Sequence, residues 1–410
     1  MHDRYDVDVI VVGGGAAGMF AAIHVGLGGR RVLLLERNDR LGKKLRITGK
    51  GRCNVTNCAT AEEVLQNIPR NGKFLYSALT RYPPEKLMKF LEAEGCPLKT
   101  ERGNRVFPVS DRSGSVLQAL ERALERSGAA VQQGRVTEIC TEAGHVSGVR
   151  TETQVYGAEK VILATGGCSY PATGSTGDGY RLAARLGHTI IPPTGSLVPL
   201  EELGTDCRQM QGLSLRNVAV RLYHDGGKCL YRDFGELLFT HFGLSGPTVL
   251  SASAHMGKSG SYRLVIDLKP ALDEEKLDAR ILRDLEQYQN RSMAHALTDL
   301  LPRSMIPVVL RRAQIPENLP AHSLTRRQRH SLVQELKGFA VSISGKRPVE
   351  EAIVTSGGIK IGEVDPKTMG SKRLPGLYFA GEILDCDAYT GGFNLQIAWS
   401  TGYAAAMACL

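Results

Sequence analysis

Val7-Asp8-Val9-Ile10-Val11-Val12-Gly13-Gly14-Gly15-Ala16-Ala17-Gly18, continued by an alanine-rich segment and closed by Val32-Leu33-Leu34-Leu35-Glu36, is the stretch that decides how this chain folds. The first apolar run is short, rich in β-branched residues and stopped by glycines, the pattern of a buried strand. The second apolar run ends in an acid and reads the same way. The residues between them suit a helix. Gly13, Gly15 and Gly18 then have separate tasks in a dinucleotide fingerprint: a tight turn, close approach of the backbone to a pyrophosphate, and close packing of helix on strand. The helix begins at the phosphates, so its unpaired N–H groups and positive dipole end face the negative charge. Glu36, eighteen residues beyond Gly18, is placed to accept hydrogen bonds from a ribose. Glycine-rich turns also close ordinary loops, but here both strands, the helix and the terminal acid accompany the glycines. The motif leaves open which dinucleotide binds.

A chain of 410 residues with 42% hydrophobic and 23% charged residues has the composition of a soluble protein of two or three domains. The apolar stretch 16–27 is broken by His24 and Gly26 and is too short to span a bilayer. The start, Met1-His2-Asp3-Arg4-Tyr5-Asp6, lacks the basic-then-apolar pattern of a secretory signal, so a cytoplasmic enzyme is expected, with no membrane partner. The nine cysteines are scattered and odd in number, and most are expected to be reduced. Cys53 and Cys58 have no matching second pair, so no metal site is expected. A formal net charge of +9 permits an anionic polymer as partner without requiring one.

Beyond Glu36, the segment 37–57 carries seven cations (Arg37, Arg40, Lys43, Lys44, Arg46, Lys50, Arg52) against one acid, Asp39. Such a run is usually a solvated surface; its glycines, and its place after the ribose-binding strand, instead suggest a loop laid along a phosphate-bearing cofactor. Residues 60–128 read as mainly helical, with helix-period apolar positions over 85–94 and 115–126 and a hairpin or turn at 103–108. Residues 130–163 alternate like strands. Val136 sits in the first of these, where a parallel sheet would bring its backbone near an adenine. The strand ending in Ala164-Thr165-Gly166-Gly167 marks a sheet edge that meets a ligand, and a helix follows over 180–186.

From Gly195 the pattern changes. Residues 195–346 are expected to form an inserted domain, with a β part over about 195–270 and a helical, basic part over about 271–346. Residues 1–194 and 347–410 then make up one discontinuous dinucleotide-binding domain. Between Arg280 and Arg347 there are twelve cations against five acids, enough for this block to hold most of the net charge. Concentrated basic charge is the footprint expected for nucleic acid, although solvated helix faces give similar counts. Aromatics are sparse in this part (Tyr288 and Phe339), which argues against a base-stacking platform there.

An N-terminal fingerprint, a mid-chain Ala-Thr-Gly-Gly and a late strand ending in Gly381-Glu382 resemble the glutathione-reductase-type FAD proteins. More specifically, Thr48-Gly49-Lys50-Gly51-Arg52-Cys53-Asn54-Val55-Thr56-Asn57, Ser169-Tyr170-Pro171-Ala172-Thr173-Gly174-Ser175-Thr176-Gly177-Asp178-Gly179 and Ala380-Gly381-Glu382-Ile383-Leu384-Asp385 resemble the signatures of the YhiN/BaiN family of bacterial FAD-dependent oxidoreductases. The resemblance spans essentially the whole chain. It implies an α/β fold, a discontinuous Rossmann FAD domain carrying a β-barrel-like and helical insertion. It also implies FAD as cofactor and a nicotinamide nucleotide, NADH or NADPH, as a transient electron donor. Carried over by motif, the pyrophosphate lies on Gly13, Gly15, Ala17 and Gly18, and the ribose on Glu36, with Arg37 and Lys44 beside the phosphates. Val136 holds the adenine, Thr165 and Gly166 line the cofactor, and Gly381, Glu382 and Asp385 bind ribitol and phosphate. Gly392, Asn394 and Leu395 stand at the flavin ring, where the start of the terminal helix faces the ring's carbonyl edge. The alternative for that helix is simple glycine-capped packing on the sheet.

The family resemblance implies three activities: reduction of a uridine in large-subunit ribosomal RNA, reduction of unsaturated steroid ketones, and oxidation of aminoacetone. The two reductions need a hydride to an activated C=C bond and an acid for the neighbouring carbon. Cys53 is the candidate acid, since a thiol with pKa about 8.5 stays protonated at pH 7; neighbouring Arg52 and Lys50 would lower that value, and Cys53 serves equally as a small packing residue. Cys168 and Cys386 depart from the family pattern, and Tyr170 and Tyr389 are alternative donors. The basic insertion favours ribosomal RNA over a small-molecule substrate.

Overall fold

β1 (Val9–Val12), α1 (Ala16–Leu27) and β2 (Val32–Glu36) form one βαβ unit in a computed structural model, which describes residues 5–257 and 260–410. Every residue of both strands is buried, the reason they read as continuous apolar runs rather than alternating ones. After the unit come α2 (Ser113–Ser127), β3 (Ala130–Gln133), β4 (Lys160–Leu163) and α3 (Asp178–Arg185). Two features depart from the sequence expectation. Leu98–Glu101, in the region expected to be mainly helical, pairs antiparallel with Arg105–Pro108 across the hairpin or turn expected at 103–108, and Thr56–Asn57 adds a third strand. These strands are short, and the third partner comes from some forty positions earlier, so local periodicity does not announce them. Val136 opens the antiparallel strand Val136–Glu142, opposite Thr151, not a strand of the parallel sheet.

The chain divides into two compact units, Met1–Ser196 together with Val349–Leu410, and Leu197–Pro348. The division falls after Ser196 and before Val349, two residues from the expected 194 and 346. The physical reason is that the strand Ile190–Ser196 pairs to its last residue with Val354–Ile359.

The second unit is built on β5 (Leu200–Glu202), β6 (Ser214–His224), β7 (Lys228–Phe239), β8 (Gly243–Ser245) and β9 (Tyr262–Asp267), then α4 (Glu274–Gln287), α5 (Ile306–Arg312), α6 (Arg326–Lys337) and β10 (Phe339–Lys346). The six strands close into a barrel in the order β5-β8-β7-β6-β9-β10. β10 corrects the reading of 271–346 as helical to its end. Phe339, Val341 and Ile343 are buried with exposed or partly exposed residues between them, the period of two that a barrel strand requires. The helices have their own apolar contacts with the barrel core, among them Leu277, Ile281, Leu332 and Leu336.

Two elements return to the first unit, β11 (Leu377–Phe379) and α7 (Phe393–Cys409). The parallel sheet has the order β11-β4-β1-β2-β3. α7 lies against α1 so closely that a Cβ on Gly402 would stand 2.6 Å from the Ala17 carbonyl oxygen. α1 is therefore covered on both sides, by sheet and by helix, and Phe20, Ile23 and Val25 have no exposed surface. Among the described residues, no helix is long and apolar enough to cross a membrane.

Candidate functional site

The three fingerprint glycines meet different surroundings. Gly13 has φ +106, and a Cβ there would stand 2.5 Å from the carbonyl oxygen of Ala164, at the end of β4. A Cβ on Gly18 would stand 1.8 Å from the Gly13 carbonyl oxygen. On Gly15 it would meet nothing within 4 Å. Gly13 and Gly18 are thus fixed by the fold, whereas Gly15 faces open space at the start of α1. That helix has no side-chain cap and no acid in its first turn, so its N-terminal N–H groups are available to an anion. Glu36 is buried at the end of β2 and accepts hydrogen bonds from the Gly14 amide (2.6 Å) and from the Asn38 amide and side chain (2.8 and 2.7 Å). The Gly134 amide donates to the Glu36 backbone carbonyl (2.8 Å), which sets the stretch leading to Val136 beside the end of β2. Thr165 Oγ1 is buried with no hydrogen-bond partner among the described residues and faces Gly179, where a Cβ would stand 2.0 Å from it, so the hydroxyl packs under the following helix. Gly166, at φ +71, turns the chain next to it. These features fit the adenosine and pyrophosphate part of a dinucleotide.

Arg37 and Lys44 direct their charges at protein partners. Arg37 donates to Thr176 Oγ1 (2.6 Å) and Asp178 (2.8 Å), and Asp178 also receives Arg135 (3.1 Å) and Arg181. One carboxylate thus gathers three guanidiniums. Lys44 donates to both carboxylate oxygens of Glu382 (2.7 and 3.0 Å) and to Ser169 Oγ (2.6 Å). Glu382 also accepts from the Thr355 amide (2.8 Å). Burial pushes the Glu382 carboxyl up, but the Lys44 ammonium with the Thr355 and Ser169 bonds outweighs it and holds the group below the usual carboxylate range. The result is an ionised bridge tying the short helix Lys43–Ile47, which interrupts the loop expected after β2, to the turn after β11. Gly381 in that turn has φ +79, its amide donates to Thr401 Oγ1 of α7 (2.9 Å), and a Cβ on it would stand 2.8 Å from the Ala17 Cβ. The turn, α1 and α7 therefore meet with no spare room.

The other end of the site is where the 48–57 loop meets the start of α7. A Cβ on Gly392 would stand 2.3 Å from the Thr56 carbonyl oxygen. Asn57 donates to the Gly391 carbonyl (3.0 Å), Thr56 Oγ1 to Gln396 (2.6 Å), and the indole of Trp399 to the Val55 carbonyl (2.9 Å). Asn394 spends its side chain locally, accepting from the Ala388 amide (2.9 Å) and donating to the Ala388 carbonyl (2.7 Å). It fixes the 388–394 loop while Leu395 stays partly exposed. α7, like α1, starts without a side-chain cap or an acid in its first turn.

Cys53 lies in this loop at φ +62 with no exposed surface. Burial pushes its thiol up to about 12, only partly offset by a hydrogen bond to Thr48. A side chain with no accessible surface touches neither cofactor nor substrate, so the geometry gives the expected proton-donor role no support. Cys53 packs the core under the loop. Asn54 Oδ1, next to it, is buried without a partner.

Sequence reading missed a second set of residues here. Asp387 is almost fully buried, accepts from Ser196 Oγ (2.6 Å) and pairs with Arg70 (3.2 Å). Asn71, at φ +59, donates to the Asp385 carbonyl and carboxylate (2.6 and 3.0 Å). Burial raises the Asp385 carboxyl above the usual range despite Arg70 and Asn71, and Asp387 adds to the rise. The signal for Asp387 was its place two residues after Asp385; nothing local pointed to Arg70 or Asn71.

A parallel sheet with an open glycine turn at one helix start, an acid ending the second strand and an uncapped second helix meeting the loop defines a Rossmann-type FAD-binding fold. Residues 7–408 match the family described as HI0933-like protein Rossmann domain, and the chain belongs to that family. Curated relatives bear out the YhiN/BaiN resemblance. The chain is 32% identical over 405 residues to a 3-dehydro-bile acid delta(4,6)-reductase of Clostridium scindens, covering 97% of this chain and 98% of that one. It is 30% identical over 410 residues to the ribosomal RNA dihydrouridine synthase of Escherichia coli, covering 97% of each. Among solved structures, the 3-ketosteroid delta1-dehydrogenase of Sterolibacterium denitrificans superposes with a TM-score of 0.52 at 13% identity, covering 99% of each chain. At that identity the likeness is one of fold alone.

Proposed function

We propose that this chain is an FAD-dependent oxidoreductase that reduces a uridine C=C bond in large-subunit ribosomal RNA to dihydrouridine. Bound FAD supplies the hydride, and NADH or NADPH is the proposed electron source. The chain's own residues hold the cofactor. Gly15 and the start of α1 take the pyrophosphate, with Gly13, Ala17 and Gly18 shaping the turn. Glu36 takes the ribose and the Val136 backbone the adenine, with Thr165 and Gly166 alongside. Gly381, Glu382 and Asp385 border the ribitol, with Lys44 and Arg37 setting the field around them. Gly392, Asn394 and Leu395 place the start of α7 at the flavin ring, where its positive end stabilises negative charge.

One observation favours RNA as substrate: the second unit keeps exposed cations that the protein does not neutralise. Leu197–Pro348 holds twenty-one cations against sixteen acids, so +5 of the chain's +9 lies there. Several of the cations counted from the sequence are internal ties, among them Arg280 to Asp284, Arg312 to Glu335, Arg329 to Asp278 and Lys337 to Asp267. Arg283, Arg291, Arg303, Arg326 and Arg327 are exposed and have no carboxylate partner among the described residues. Arg326 and Arg327 occupy the first turn of α6, where the helix dipole disfavours cations. Such charge is accounted for by a polyanion, and a cytoplasmic location accords with a ribosomal substrate.

The second reading is a reductase of unsaturated steroid ketones or another small molecule, which the bile-acid reductase relative favours at similar identity. The test is a side-by-side assay of the reduced protein with ribosomal RNA and with an unsaturated 3-ketosteroid. Dihydrouridine formation that falls steeply with salt supports the first reading. Salt-insensitive steroid turnover without dihydrouridine supports the second.

A further inference from the structure

The outer face of the barrel carries a second basic feature, distinct from the helical cations. Along β6 the side chains alternate: Val220 and Leu222 are fully buried, and Arg221 between them is exposed. The register sets Arg221 directly opposite Arg232 of β7, and Tyr223, one step along, opposite Arg263 of β9. Residues opposed in this way share a face, so three exposed arginines stand together on three adjacent strands. Phe234, two residues from Arg232 and on the same side, is 55% exposed. The Arg263 guanidinium lies 6.0 Å from the Tyr223 ring centre.

Like charges directly opposite each other destabilise an antiparallel pair, and here the cost is not relieved internally. Among the described residues none of the three arginines has a carboxylate partner, and Arg232 donates only to Cys229 Sγ (3.3 Å). Nearby acids are engaged or lie elsewhere. Asp225 bonds Ser261 at the hairpin tip, Asp233 bonds Tyr231 and the Phe234 amide, and Asp267 pairs with Lys337. Glu236, beyond Phe234, is the exposed acid at the margin.

We propose that the outward face of β6, β7 and β9, carrying Arg221, Arg232, Arg263, Tyr223 and Phe234, is a docking surface for single-stranded RNA. This rests on the RNA reading above and extends it to a surface of the second unit. Guanidiniums pair with phosphates and stack on bases, and exposed rings accept unstacked bases without regard to sequence. A duplex, with its bases stacked inside, has no use for Phe234 and Tyr223.

The test measures binding of a fluorescent twelve-residue oligouridylate to the FAD-loaded protein across a salt series. Arg221→Ser/Arg232→Ser/Arg263→Ser is expected to weaken binding at least thirtyfold at low salt. It should also flatten the log-affinity slope against log salt by about 2, the release expected for three phosphate contacts. Phe234→Ser should weaken binding at least fivefold with the slope unchanged, and the triple arginine-to-lysine variant should keep the slope but lose affinity. FAD content should stay at the wild-type value, and the melting temperature of the serine triple should equal or exceed that of wild type. Wild-type binding that survives in the serine triple, or that is lost instead in Arg326→Ser/Arg327→Ser, overturns this surface while leaving the RNA reading intact. A wild-type protein that binds no RNA overturns that reading itself. Equal binding of polyglutamate, insensitive to Phe234→Ser, would replace RNA by an acidic protein partner.

Discussion

Gly15 and Gly18 sit three residues apart at one helix start and ask opposite things of a side chain. A methyl on Gly18 would overlap the Gly13 carbonyl, whereas a methyl on Gly15 enters empty space. Gly15→Ala should therefore fold with a wild-type melting temperature and lose FAD, because the new methyl stands where the pyrophosphate approaches. Gly18→Ala should lose stability as well, by about 1–3 kcal/mol of overpacking. Calorimetry and flavin absorbance on the two proteins separate these effects, and full FAD retention by Gly15→Ala would contradict the assignment. Lys44→Met leaves the Glu382 carboxylate buried without its cation and should cost about 3 kcal/mol, with reduced flavin occupancy; Lys44→Met/Glu382→Gln should recover part of that loss in a denaturant titration. Glu363 gives a pH prediction. The Arg373 guanidinium, with Thr189, holds its carboxyl at about 2. A depressed carboxylate contributes stability above its unfolded pKa of about 4.3, and that contribution is lost as pH falls toward 2. His188, packed against Phe379 and lowered by burial, adds a loss that begins below about 6.5. Glu363→Gln should thus be less stable than wild type by roughly 2 kcal/mol at pH 7, with the gap narrowing below about pH 4.3 and closing toward 2. A gap that does not change with pH would contradict the ion pair.

Among the elements, α6 shows a conflict between stability and function that sequence alone hid. Its Thr325 cap is complete, with Gln328 returning the bond, yet Arg326 and Arg327 follow it against the dipole. Arg326→Glu/Arg327→Glu should raise stability by about 1 kcal/mol while weakening affinity for RNA, both read on one protein by melting and binding. Lower stability in that variant would contradict the dipole argument. β1, α1 and β2 were legible in sequence because a buried parallel strand and an N-terminal glycine turn are local signals. β10 was misread because it follows directly on helices, and Leu98–Glu101 because its partners lie elsewhere in the chain. The bridge of Lys44, Ser169, Thr355 and Glu382 joins four separate stretches, so its residues were visible as motifs and their joint role was not. Cys53 shows the converse: a reactive residue type in a cofactor motif, removed from chemistry by complete burial.

On the proposed reading, redox chemistry and substrate choice fall to different units of the fold. Met1–Ser196 with Val349–Leu410 supplies the cofactor cradle, and Leu197–Pro348 supplies the excess of exposed cations. Counting cations along the sequence found the second unit but overstated its free charge, because ion pairs between distant positions such as Arg311 and Asp206 consume part of it. The two curated relatives differ in substrate at nearly equal identity, so overall similarity does not choose between RNA and steroid. Mass mapping of large-subunit ribosomal RNA from a strain lacking this gene, with and without the gene restored, addresses the choice most directly. The account predicts that one dihydrouridine disappears in the deletion, returns with the wild-type gene and stays absent with Gly15→Ala. An unchanged dihydrouridine content in the deletion strain would contradict it.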